Sequence, residues 1–163
     1  MRATRFAVAA VAALAIVASP GAAQAATITT PFHADSGDAC RYGATDGTLG
    51  WQFGPTTSPL PVTAVAVKGK LTDRPLPADS TIVCFDDHYN SSATFVAYSG
   101  SVEVARQTRT ANNGTVSFEF TLGNSTHTAS ISRVVIQVCR SPIITLPPSY
   151  CGTAVTYLSP PIG

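Results

Sequence analysis

From residue 62 onward the chain alternates apolar and polar positions in short runs. Val62–Leu71 places Val65, Val67 and Leu71 on one face and Lys68 and Lys70 on the other, the period of two that a half-buried strand requires. Ala93–Tyr98, Val102–Thr108, Ile131–Cys139 (with Val134, Ile136 and Val138 on one face) and Thr153–Leu158 read as further strands. Thr81–Phe85 is a short apolar run and reads as a buried strand. Thr72–Asp79 reads as a connection, because Pro75 and Pro77 cannot donate to a ladder. Residues 31–61 are rich in Gly and Pro and offer one short strand at Leu49–Phe53. No segment after residue 25 carries a helical period. Seven or eight strands in about 100 residues predict two packed antiparallel sheets, a β-sandwich.

One turn can be read closely. Val102 and Val104 share parity with Val116, Phe118 and Phe120, so a hairpin with both sets facing the core needs a loop of odd length. Asn112-Asn113-Gly114 supplies it, with Gly114 expected in the left-handed conformation. Ala111 then pairs with Thr115 and Gln107 with Glu119. Arg106 would face inward in that register, which predicts a bulge beside it.

The start of the chain has a different character. Arg2 and Arg5 precede an unbroken apolar run, Phe6–Ala18, followed by Ser19-Pro20-Gly21 and the small-residue stretch Ala23-Gln24-Ala25. These are the charged, apolar and cleavage regions of a secretory signal, and the run is too short to span a bilayer. The expected organisation is a signal peptide over 1–25, a Gly/Pro-rich segment over 26–61 packing on the domain, and a sandwich core over 62–163 with a Pro-rich loop at 140–150. The protein is expected to be secreted and, after cleavage, to have no membrane anchor.

Charge narrows the function classes. The net charge is +1, with no basic or acidic block, so electrostatic binding of nucleic acid is not expected. Two Lys against eight Arg, with an Ala-rich leader, resembles a secreted protein of a high-GC bacterium.

Cys40, Cys84, Cys139 and Cys151 form an even set in a small secreted domain and predict two disulfides. Three pairings are open. Cys139 and Cys151 flank a short Pro-rich stretch, which favours Cys139–Cys151 and leaves Cys40–Cys84. The competing arrangement joins Cys84 to Cys139 across the sheets, as in an immunoglobulin domain. With no Cys-x-x-Cys and no paired His spacing, no metal site is expected.

Candidate chemistry is sparse. No Gly-x-Ser-x-Gly occurs, and His33, His88 and His127 read as loop histidines. Glu103 and Glu119 alternate with apolar neighbours and read as solvated. No enzyme activity and no cofactor are expected. The most ligand-like cluster is Phe85-Asp86-Asp87-His88-Tyr89-Asn90, whose oxygens could hold Ca²⁺ or face a partner. Tyr42, Trp51 and Phe53 lie in a Gly-rich stretch and are candidates for stacking on sugars or gripping a protein. Arg140 begins the disulfide-closed loop and could enter a protease specificity pocket. Asn90, Asn113 and Asn124 begin glycosylation sequons.

Gly69-Lys-Leu-Thr-Asp73 and Thr110-Ala-Asn-Asn-Gly-Thr-Val-Ser-Phe118 resemble segments of transthyretin-like and immunoglobulin-like β-sandwich accessory domains of secreted bacterial proteins. The second stretch also resembles a turn in the neocarzinostatin family of secreted, two-disulfide carriers. In size and cysteine number the chain is similar to subtilisin-inhibitor-type proteins. The expected function is a non-catalytic module for an envelope polysaccharide or an extracellular protein. The alternatives are a protease inhibitor presenting the 140–150 loop, or a small-ligand carrier.

Overall fold

A computed structural model describes residues 26–54, 61–75, 81, 83–85, 88–123, 130–144 and 148–161. The expected leader, Asp86, Asp87 and His127 lie outside these. Nine strands follow in order: β1 (Thr27–Asp35), β2 (Gly43–Phe53), β3 (Val62–Asp73), β4 (Tyr89–Ser99), β5 (Val102–Ala111), β6 (Gly114–Leu122), β7 (Arg133–Pro142), β8 (Tyr150–Cys151) and β9 (Val155–Leu158). They form two antiparallel sheets, one ordered β1-β2-β3-β6 and the other β5-β4-β7, with β8 and β9 both on the far side of β7. The fold is the expected all-β sandwich. Its pairings β3–β6 and β4–β7 interlock two strands three apart in sequence, a Greek key that ties the sheets together.

The core follows from the alternation. Leu49, Trp51, Val65, Val67 and Leu71 of the first sheet meet Phe95, Val134, Ile136 and Val138 of the second, all fully buried. One row crosses the first sheet as Phe32, Gly47, Gly69 and Phe118. A Cβ on either glycine would come within 2.9 Å of the Phe32 ring, so the two glycines leave the space that ring fills. Phe95 of the opposite sheet then meets Phe32 and Phe118 edge-on, at 5.7 and 5.3 Å between centroids. The Gly-rich stretch, expected to hold one short strand, is therefore the eleven-residue strand β2, and β1 precedes it.

Two local expectations are corrected. Thr81–Phe85 is not a buried strand: Val83 and Phe85 are 73% and 76% exposed, because Cys84 is tied to Cys40 instead of to a ladder. The 111–115 turn does not close a hairpin either. β5 pairs with β4 and β6 with β3, so the chain crosses between sheets at Asn112-Asn113. Equal parity is satisfied by two strands facing a common core from opposite sheets, as well as by two neighbours in one sheet. Asn113, not Gly114, takes the left-handed conformation (φ 48°). Glu119 consequently lies 3.6 Å from Lys68, and Gln107 pairs with Phe95.

A bulge does occur beside Arg106. The β4–β5 register slips between Ala97 and Tyr98, leaving Val104 unpaired. Arg106 thereby turns outward and makes two hydrogen bonds to the Glu103 carboxylate, at 2.9 and 2.7 Å. That contact holds the exposed Glu103 carboxyl below its ordinary pKa.

Trp51 is the largest fully buried side chain, and its indole N–H donates to Thr30 Oγ1 at 2.9 Å. Trp51→Ala is expected to cost about 3–5 kcal/mol of unfolding free energy by loss of burial and cavity formation. Urea denaturation measures this; a loss below about 1 kcal/mol would place the indole outside the core.

Candidate functional site at the disulfide end

Both disulfides lie at the same end of the sandwich. The β1–β2 turn runs from Asp35 to Gly43 and closes through Ser36 N–H to Gly43 C=O (2.8 Å) and Gly37 N–H to Asp35 Oδ1 (2.9 Å). Cys40 projects from this turn to Cys84, tying it to the β3–β4 connection. Tyr42 follows, half-buried, and its hydroxyl donates to the Phe85 carbonyl. His88, exposed and left-handed (φ 55°), immediately precedes β4, and its carbonyl accepts from Ile143 N–H at 2.9 Å. Cys139 and Cys151 are direct partners in the β7–β8 ladder and form the second disulfide. The Tyr89 and Tyr150 rings meet at 5.6 Å, and the Tyr89 hydroxyl donates to the Pro148 carbonyl at 3.2 Å.

Beneath these loops is a buried polar cluster. Asp73, the last residue of β3, and Arg140 of β7 are each 1% exposed and form an ion pair. Ser91 Oγ of β4 donates to Asp73 Oδ1 at 2.7 Å and accepts from Arg140 Nη1 at 2.6 Å. The crossover between β5 and β6 joins in, with Asn113 N–H donating to Asp73 Oδ2 at 2.9 Å. Gly43 makes this possible, since a Cβ there would lie 2.6 Å from Ser91 Oγ and 2.9 Å from the Val138 side chain. The guanidinium sits 5.2 Å from the Tyr42 ring centroid and 5.7 Å from that of Tyr89. Burial pulls the Arg140 pKa below its ordinary value, and Tyr150, Asp38 and Tyr42 act against that pull. Arginine nevertheless stays charged.

These positions revise several expectations. Arg140 is a buried brace between sheets and is not available to a protease pocket. Trp51 and Phe53 are core residues, 0% and 2% exposed, and cannot stack on a sugar. Their apolar faces point inward because β2 alternates in phase with the core residues of β3. Tyr42 and His88 do lie at the disulfide end, and Tyr89 lies there buried. Five large apolar side chains are presented at this end, Val83, Phe85, Ile143, Ile144 and Tyr150, of which pattern reading named only Phe85, and that for its polar neighbours. The one signal that could have found the first two is the cystine between them, which substitutes for ladder hydrogen bonds in fixing an extended segment.

Elsewhere Val102, Val116 and Leu158 are also exposed. Two open depressions, of about 560 and 520 Å³, lie on the outer face of the first sheet among Asp46, Lys68, Lys70, Thr72, Arg74, Thr115 and Glu119. Their charges largely pair off, Lys70 with Asp46 at 3.7 Å and Lys68 with Glu119. The first is floored largely by apolar surface, including Phe118 and the glycines Gly47 and Gly69. Among the described residues no three His, Cys, Asp or Glu side chains lie close enough to hold a metal ion, and no helix is long and apolar enough to cross a membrane.

Comparison of the chain with protein-family models, curated proteins and solved structures finds no match.

Chain entropy ranks the two bridges. Closing 44 residues, Cys40–Cys84 is expected to contribute about 4 kcal/mol, and Cys139–Cys151, closing 12, about 3 kcal/mol. Paired Cys→Ser variants, compared by urea denaturation, check both values. A larger loss from the 12-residue bridge would show that something other than loop closure governs this end.

Proposed function

We propose that this protein is a secreted, non-catalytic binding module that holds an extracellular protein through the disulfide end of its sandwich. The observation that carries the reading is the exposure there of Phe85 (76%), Val83 (73%) and Ile144 (65%), with Ile143 and Tyr150 beside the second disulfide. Soluble domains seldom leave several large apolar side chains in water at one end unless something covers them. Disulfides, the Asp73–Arg140 pair and backbone bonds fix the flanking segments in advance, which lowers the ordering cost of binding.

A protein partner is favoured over a polysaccharide. Sugar recognition by stacking needs exposed aromatic planes, and two of the three aromatics that suggested it are buried in the core. Aliphatic side chains beside Phe85 and Tyr150 suit an apolar protein surface better. Secretion is supported by the leader-like residues 1–25 and by two disulfides, which persist in oxidising compartments. No acid–base–nucleophile set converges among the described residues, so the reading includes neither catalysis nor a cofactor.

The test is retention of secreted and surface proteins on immobilised protein. A Phe85→Ser, Ile144→Ser double variant is expected to keep its melting temperature and lose at least tenfold in affinity for the retained partner. Undiminished binding by the folded variant would move the interface away from this end.

A further inference from the structure

The four-stranded sheet ends in two edges, β1 and β6, and they are treated differently. On β1 the His33 N–H donates to the Tyr157 hydroxyl at 2.8 Å, and that hydroxyl donates back to the His33 carbonyl at 2.7 Å. His33 therefore turns its backbone groups away from β2, and Tyr157 occupies both. Pro31, of the same parity, has no N–H to offer. This edge is blocked. β5, the edge of the other sheet, is interrupted by its bulge at Val104 and carries Glu103, Arg106 and Arg109. Proteins block edges in these ways to prevent strands of other chains from adding to the sheet.

β6 has no proline, bulge or side-chain cap among the described residues, and Glu119 is its one charged residue. In an antiparallel ladder alternate residues turn their N–H and C=O to opposite sides. With His33 outward, Phe32 turns to Gly47; through the registers Asp46↔Lys70 and Gly69↔Phe118, Phe118 turns to β3. Thr115, Ser117, Glu119 and Thr121 then present their backbone groups outward. Gly114–Leu122 has no proline, its pairing with β3 has no register shift, and among the described residues no strand pairs its far side.

We propose that a second copy of this chain pairs antiparallel with β6, joining two four-stranded sheets into one of eight strands. A two-fold axis at Phe118 sets Ser117 against the partner's Glu119 and Thr115 against the partner's Thr121, so every outward backbone group meets its complement. The same register keeps the two Glu119 carboxylates from facing each other. It seats each carboxylate beyond Ser117, in the cross-strand row of Lys70, while its own Lys68 remains beside it. On the inner side Val116, 40% exposed, meets the partner's Phe120, which is itself half-buried. The pairing directs the two disulfide ends to opposite poles, so it leaves both free and does not depend on their role.

Sedimentation equilibrium and amide exchange of the purified, disulfide-intact protein test this together. A mass twice that of the chain is expected, with amides of residues 115, 117, 119 and 121 exchanging more slowly as protein concentration rises. Ser117→Pro removes an outward N–H without removing a ladder hydrogen bond to β3, and is expected to give a folded monomer. A wild-type protein that stays monomeric at every concentration overturns the proposal. So does a dimer whose β6 amides exchange at a concentration-independent rate, because its interface lies elsewhere. If the proline variant unfolds, the wild-type exchange pattern still decides.

Discussion

The Asp73 carboxylate is the point on which the disulfide end depends. One buried side chain gathers β3, through its own backbone, β4 through Ser91, β7 through Arg140 and the β5–β6 crossover through Asn113 N–H. Hydrophobic burial can hold two sheets face to face but does not fix how they slide or how their ends are finished. A charged cluster can, because each partner displaced from it leaves a polar group buried without compensation. Arginine suits the position, since its Nη1 alone reaches both Asp73 and Ser91 while the guanidinium lies near two tyrosine rings. Such a pair is weak as a source of net stability and strong as a constraint on arrangement.

This constraint reaches the surface. Tyr42 and Tyr89 bracket the buried guanidinium, and their hydroxyls bond the carbonyls of Phe85 and Pro148 in the two outer loops. The cystines fix the same loops covalently. Large apolar side chains can then stand in water without the loops collapsing onto the core to bury them. The end of the sandwich presents apolar side chains beside these ties, while the outer face of the first sheet carries the paired charges Lys70–Asp46 and Lys68–Glu119. These two surfaces divide the roles proposed for the molecule between its end and its β6 edge.

Much of the fold was legible in the residues because period-two alternation reports directly which face of a strand is buried. Val65, Val67, Leu71, Val134, Ile136 and Val138 were readable as core in this way. Alternation says nothing about which sheet a strand joins, so β5 and β6 looked like a hairpin when they face each other across the core. Glycine hid β2, because Gly47 is required by the ring of Phe32, a residue fifteen positions earlier. The candidate site was the least legible part. Arg140, Asp73 and Ser91 are far apart in sequence, and no local pattern marks an arginine for burial. Trp51 and Phe53 looked available because five residues of strand did not show which face is buried.

The central claim is that Asp73 and Arg140 act as one unit holding the sheets in register at this end. A double-mutant cycle with Asp73→Asn and Arg140→Met, read by urea denaturation, measures it most directly. Coupling of about 2 kcal/mol or more is predicted, with the double variant more stable than the sum of the single losses implies. Additive losses, within about 0.5 kcal/mol, would contradict the account and leave the two side chains as independent occupants of the same interior.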